Sequence, residues 1–402
     1  MIRTTILFSA ALALSTASCG FFATLTGGMG SGADSAAFAT NMEKFAVESI
    51  DLVFAGNEGT WCPGTAGSFT VTAQAHKKKK PDQLLTLETA APGATAKDVR
   101  GKMDLTEFAM EGRGGIVDTG VFTASSDPFE TLLGFDVRAT YRTDKTKVVE
   151  KHFEPVYSCI TTVGSSGASG QEGEGGTPGQ DPGGAGGAAG SGTQGGVGPR
   201  VVAHVTIVRT PKHERVGLIQ VSGDVDQLTL FDLTTGITVA ARGGSGGDGG
   251  RGGDGGDGSD PAGAGGPGGP GGIGGPGGDG GEAVVIVDDR YPELASIVGV
   301  DVSGGSPGGA GSGGNGGDGG DAPPKACDDC EQGDPGPDGA DGQSGSSGTV
   351  SGNPGRTETR SQDVTQVFAS LPPGVRLLDD PRPQPEIAPP PPVESTKKKR
   401  RR

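Results

Sequence analysis

Over residues 243–258 the chain reads GGSGGDGGRGGDGGDG, with two glycines before almost every other residue. This triplet pattern limits the outcomes more than any other feature. Two glycines in three supply no side chains for an apolar core, and each glycine costs an α-helix about 1 kcal/mol relative to alanine. A polyproline II helix suits the pattern, because it turns once every three residues and rises about 3.1 Å per residue. The third residue of each triplet then falls on one edge, about 9 Å from the next. The two bare edges can lie against other main chains, with interchain N–H···O=C bonds replacing the internal ones this helix lacks.

The first block carries Ser245, Asp248, Arg251, Asp254 and Asp257 in the third position. After the break GSDPAGA, a second block carries Pro267, Pro270, Ile273, Pro276, Asp279 and Glu282, and a less regular third runs over 304–321. The breaks read as turns, so three antiparallel strokes are expected to bundle. Segregation of Asp from Pro and Ile predicts one wet and one drier edge. The competing outcome is a disordered linker, because ordering glycine is entropically costly. By period alone, the blocks resemble the glycine-helix bundles of some insect antifreeze proteins and phage adhesins.

Glycine also recurs at every third position from Gly164 to Gly179 and from Gly333 to Gly348. Both stretches are expected to be extended, solvated connectors, collagen-like in pattern only. With 80 Gly and 29 Pro in 402 residues, low-complexity architecture is the leading expectation.

Apolar, β-branched alternation is confined to a few regions. Segments 50–55, 68–75, 84–88, 106–110, 121–124, 134–141 and 148–157 are short and β-rich with turn residues between them, which predicts an antiparallel β-sandwich over 35–163. A short helix is expected over 36–45, where Phe38, Met42 and Phe45 share a helical face. The run GGIVDTGVFTASSDP at 114–128 resembles a strand-turn-strand of bacterial immunoglobulin-like modules. Four further strand-like runs lie between Val201 and Gly244, and two more over 282–305. The expected fold class is therefore mainly β. An Ig-like sandwich precedes a β-strand scaffold carrying the GGX insertions, which are either a polyproline-II-like bundle or disordered.

The amino terminus, MIRTTILFSAALALSTASC, has basic Arg3, an apolar stretch from Ile6 to Leu14 and small residues before Cys19. It reads as an export signal too short to span a membrane. It resembles the bacterial lipoprotein signal, which implies a lipidated Cys19 as the mature amino terminus and, with Gly20 next, the outer membrane. Thr16 stands where leucine is usual in that signal, and cleavage near Ala17 or Ser18 is the alternative. Expected organisation is then a signal peptide (1–18), lipidated tether (19–34), β-sandwich (35–163), Gly-rich linker (164–198) and GGX-bearing scaffold (199–321). A CxxC and collagen-like segment (322–355), a strand segment (356–386) and a Pro-rich basic tail (387–402) complete it.

Apart from Cys19 the cysteines are Cys62, Cys159, Cys327 and Cys330, an even set suited to an oxidising compartment. Three pairings are possible; composition and spacing favour Cys62–Cys159 and a local Cys327–Cys330 clip. A structural zinc site would need four ligands, and the CDDC motif has no second CxxC or nearby His. No cofactor is expected.

Residues 243–342 hold 18 acidic side chains against Arg251, Arg290 and Lys325, so nearly all of the formal charge of −16 sits there. That excludes a nucleic-acid face in this half, since phosphate contact needs clustered Lys and Arg. Two basic runs stand apart: Lys77, Lys78, Lys79 and Lys80, and Lys397, Lys398, Lys399, Arg400, Arg401 and Arg402. They are either solvated charge or candidates for a polyanion such as envelope polysaccharide. Asp248, Asp254 and Asp257 line one edge, and side chains 9 Å apart on one stroke cannot share a calcium ion, so any calcium site would need carboxylates from neighbouring strokes. Ser245 and Ser306 match a nucleophile-elbow pattern without the strand and helix it requires, and the four histidines lie in no catalytic arrangement. No enzyme is expected. The whole resembles the glycine-rich, collagen-like surface lipoproteins of some Gram-negative bacteria. That implies a lipid-anchored envelope protein, in contact with the bilayer through its acyl chains and with polysaccharide or other surface proteins, in an adhesive or matrix role.

Overall fold

The computed structural model describes residues 40–378 except 57, 58, 96, 326 and 328–330. The fold is mainly β and contains two sandwiches, the second of which carries a bundle of glycine-rich strokes.

The first sandwich is built from β1 (Phe45–Phe54), β2 (Thr60–Trp61), β3 (Ala66–Lys77), β4 (Lys80–Glu88), β5 (Phe108–Arg113), β6 (Gly115–Asp118), β7 (Val121–Ala124), β8 (Phe135–Tyr141) and β9 (Val148–Pro155). One sheet runs β1-β3-β7-β6 with β4 also on β3; the other runs β2-β9-β8-β5. Period-two alternation decides which side chains face inward. Phe69, Val71, Ala73 and Ala75 of β3 and Phe135, Val137, Ala139 and Tyr141 of β8 are all buried. Most of them join residues of both sheets in one core. Burial of each large apolar side chain contributes about 1.5–3 kcal/mol. Thr119 and Gly120 both have positive φ, 43° and 83°, and so form the two-residue turn that a tight β6–β7 hairpin requires.

The helix expected over 36–45 is not formed in its described part. A single 3₁₀ turn, Met42–Lys44, capped by the Asn41 side chain, leads straight into β1. Met42 is 1% exposed and Phe45 packs on the core as a strand residue, so sandwich packing overrides the helical spacing.

The second sandwich comprises β10 (Thr162–Ser166), β11 (Arg200–Arg209), β12 (Val216–Gly223), β13 (Gln227–Phe231), β14 (Ile237–Arg242), β15 (Glu282–Asp288), β16 (Val298–Asp301), β17 (Arg356–Gln362) and β18 (Arg376–Leu377). A small sheet, β10-β14-β16, is parallel throughout. The larger sheet, β13-β12-β11-β15-β17, is parallel at β11-β15-β17. Val163, Val239 and Ala241 from the small sheet close on Val205, Ile207, Val285 and Val287 from the large one. A further apolar cluster, including Leu132 and Tyr157 of the first unit and Val208, Leu218 and Phe368 of the second, joins the two.

Parallel strands need long crossovers, usually helices. Here six extended strokes, in three antiparallel pairs, leave the small sheet and return to the large one, so each connection between parallel neighbours contains a pair of strokes. Strokes I (167–182), III (243–258) and V (303–321) leave β10, β14 and β16; strokes II (183–199), IV (263–281) and VI (333–355) return to β11, β15 and β17. None of the glycines within strokes III to VI has a positive φ, and their hydrogen bonds repeat every three residues, the period of polyproline II. The stretches 164–182 and 333–348 are therefore strokes of the bundle rather than solvated connectors. The bundle has six strokes in two layers instead of three.

Candidate functional site

The bundle is the most distinctive surface of the molecule, and its geometry follows from where each triplet sends its three N–H groups. Within a layer, strokes I, III and V are parallel. Gly170, Gly173 and Gly176 donate to the carbonyls of Ser245, Asp248 and Arg251, and Gly246, Gly249 and Gly252 donate to those of Ser306, Gly309 and Ser312. Strokes II, IV and VI repeat this arrangement, as in Gly192 to Ile273 and Gly274 to Ser346. Between layers the strokes are antiparallel: Gly247 donates to Thr193, Gly275 to Gly247 and Gly308 to Gly275. The ladder continues the sheets without a slip. The last β10–β14 pair is Ser166 with Arg242, and the next bond runs from Gly167 N–H to Arg242 O.

Close approach explains the composition. Gly243, Gly244, Gly246, Gly247, Gly249 and Gly250 are all buried. A Cβ on Gly272 would collide with the carbonyl oxygen of Gly190, and one on Gly305 with that of Gly244. These strokes form the ordered, polyproline-II-like bundle, and their buried main-chain groups are paired, as burial demands.

The third N–H of each triplet faces outward, and strokes IV and V deal with it in two ways. Stroke IV carries Pro267, Pro270 and Pro276 there, which have no N–H. Stroke III carries aspartates whose Oδ1 atoms accept N–H groups of stroke V: Asp248 from Gly309 (2.6 Å), Asp254 from Asn315 (2.7 Å) and Asp257 from Asp318 (3.0 Å). Asp279 does the same for Asn353 of stroke VI (2.7 Å). At the bundle edge, Asp341 and Asp338 accept from Gly316 (3.0 Å) and Gly319 (2.9 Å). These acids of strokes III, IV and VI thus hold main chain. Sequence reasoning saw their charge and missed this role; its signal was the repeat of Asp at the triplet period beside a second repeat lacking it.

Two flat faces of opposite character result. The face of strokes I, III and V presents Ser169, Ser245, Asp248, Arg251, Asp254 and Asp257, with the Ser169 and Ser245 hydroxyls 3.1 Å apart. The face of strokes II, IV and VI presents Val197, Pro267, Pro270, Ile273, Pro276 and Val350. Val197, Ile273 and Val350 are 66%, 52% and 60% exposed. These are the wet and drier sides expected from the sequence.

The remaining candidates disperse. Cys62 and Cys159 form a disulfide with Cα atoms 6.4 Å apart, beside Trp61, whose ring meets Phe54, Phe122 and Phe153 edge-on. Cys327 is disulfide-bonded, whereas Cys330 lies outside the described residues, as do Cys19 and the run Lys397–Arg402. Lys77, Lys78, Lys79 and Lys80 form the exposed β3–β4 hairpin, and none joins an ion pair among the described residues. No group of three or more His, Cys, Asp or Glu among the described residues could hold a metal ion. A hollow of about 550 Å³ on the first sandwich is lined by Val99, Met103, Leu105, Phe108, Met110 and Arg142. The polar groups there serve local structure: Arg142 Nε donates to Thr106 O (2.8 Å) and Asp104 caps Thr106.

No protein-family model, curated protein or solved structure matches this chain.

Proposed function

We propose that this is a non-catalytic structural protein of the cell envelope. Cys19 carries the acyl anchor in the outer membrane, the first sandwich stands near the tether, and the glycine bundle projects as a stiff element for adhesion or surface-matrix assembly. The observation that carries this reading is the unbroken hydrogen-bond ladder from the parallel sheets into the strokes. It makes a projection about 50 Å long from 16 residues per stroke at about 3.1 Å each, with side chains displayed at fixed intervals on two flat faces. Such a regular display suits a repetitive surface or matrix better than a small molecule, which requires a concave pocket.

Incorporation of labelled palmitate into the wild-type chain and its loss in Cys19→Ser tests the anchor. Deletion of residues 243–281 tests the bundle: cell adhesion or matrix retention should fall while export and anchoring persist. A soluble, unlipidated protein in the cell fraction would defeat the anchoring.

The exposed Lys77–Lys80 hairpin, free of ion pairs among the described residues, favours a second reading, a module that holds anionic polysaccharide. Salt-sensitive retention on lipopolysaccharide, lost when the four lysines become serine, separates it from the first.

A further inference from the structure

We propose that two copies of this chain pair through the face formed by strokes II, IV and VI. The outward residues of stroke II in this face are Ala185, Ala188, Ser191, Gln194 and Val197; those of stroke IV are Ala264, Pro267, Pro270, Ile273 and Pro276. Stroke VI adds Pro337, Ala340, Gln343, Ser346 and Val350, so none of the fifteen is charged. Charge borders this face on three sides: Asp334 at the tip of stroke VI, Asp338 and Asp341 along its edge, the latter two occupied by Gly319 N and Gly316 N, and Asp279 at the base, occupied by Asn353 N and Nδ2 at 2.7 and 3.0 Å.

Charge selects the partner. Each chain has a formal charge of −16, and the opposite bundle face carries Asp248, Asp254, Asp257 and Asp318. Contact between copies through that face sets like charges against each other. The uncharged face avoids that repulsion, and it is flat and held rigid by the inter-stroke ladder, so pairing costs little ordering of the main chain.

Area agrees. Five triplets span about 47 Å, and three hydrogen-bonded strokes about 5 Å apart are roughly 14 Å wide. Face-to-face contact then covers on the order of 650 Å² per copy, or about 1,300 Å² in total, within the range of specific interfaces. A two-fold axis in the plane of the face makes the contact closed and self-complementary. Prolines and Ile273 spaced about 9 Å apart along stroke IV leave gaps that the same residues of the second copy fill.

Sedimentation velocity of the full chain across micromolar concentrations tests this. A dimer is expected, with Ile273→Asp and Val197→Asp each weakening it at least about tenfold by placing like charges in the contact. Ser312→Asp, on the opposite face, should leave it unchanged. Both substituted residues are exposed, and an unaltered circular dichroism spectrum verifies the fold of each variant. A wild-type chain that is monomeric at every concentration overturns the proposal. So does a dimer indifferent to both substitutions.

Discussion

The backbone N–H of Asp318 is donated to Oδ1 of Asp257 at 3.0 Å, and the N–H of Asp257 is donated in turn to Oδ1 of Asp181 at 2.8 Å. Three strokes of one layer are thereby tied through side chains as well as main chain. The relay needs a carbonyl-like acceptor and not a charge. Asp257→Asn keeps the acceptor and should be close to neutral, whereas Asp257→Ala removes it and should cost about 0.5–1.5 kcal/mol, the net value of one hydrogen bond. Urea unfolding of both variants distinguishes the roles; equal losses would mean that charge rather than hydrogen bonding matters here.

Gly272 and Gly175 look alike in the sequence and differ in what surrounds them. A methyl group on Gly272 meets the carbonyl oxygen of Gly190 head-on and approaches Gly250 N at 2.9 Å, whereas on Gly175 its nearest neighbour is Arg251 O at 3.7 Å. Main chain cannot rotate away as a side chain can. Gly272→Ala should destabilise the bundle by more than about 3 kcal/mol, beyond ordinary overpacking. Gly175→Ala should be neutral or stabilising by about 0.4–1 kcal/mol, because it restricts the unfolded chain. Hydrogen exchange across strokes III and IV reads the difference directly.

Much of this was legible in the residues. The period-two alternation of Phe69, Val71, Ala73 and Ala75 announced a strand, and the chain forms one there. The GGX period fixed the conformation of strokes III and IV and the segregation of their faces. What stayed hidden was the partnership. Apart from Gly175, only every third residue is glycine over 164–179 and 333–348, which reads as a loose collagen-like connector. In the bundle these stretches are outer strokes with fewer neighbours, so two positions per triplet can carry side chains. Stroke number and layer order depend on which strands pair, and a local repeat does not encode that. The Asp caps were hidden for a related reason, since those of stroke III bridge positions 61 residues apart, as Asp257 does with Asp318.

At the junction of the two sandwiches, Tyr157 and His213 pack with tilted rings, centroids 5.2 Å apart, and the His213 Nδ1 and Tyr157 hydroxyl have no hydrogen-bond partner among the described residues. Burial lowers the His213 pKa, against the opposing pull of Asp232 and Glu154, and burial lowers that of His204 as well. With the folded value below the unfolded value of about 6.5, the unfolded chain binds more protons in the interval between them. Stability from these groups is therefore present above about pH 6.5 and lost as pH falls through the folded pKa. The melting temperature should drop between pH 7.5 and 5.5, and His213→Phe, which keeps a ring against Tyr157, should flatten part of that drop. An unchanged slope would assign the effect elsewhere.

The Cys62–Cys159 disulfide closes a separation of 97 residues, nearly the whole first sandwich, from the end of β2 to the segment beyond β9. It sits beside Trp61, which is 2% exposed and donates Nε1–H to Thr65 O at 3.3 Å. A loop of this size restricts the unfolded chain strongly, so replacing both cysteines by alanine should cost about 2–5 kcal/mol. The loss should be local. Glycine strokes I to VI hang from the second sandwich, whose core contains neither cysteine, so exchange protection at Gly247, Gly250 and Gly272 should survive while amides of β3 and β8 lose theirs. Parallel loss in both regions would show instead that the shared cluster of Leu132, Tyr157, Leu218 and Phe368 couples the units into one cooperative fold.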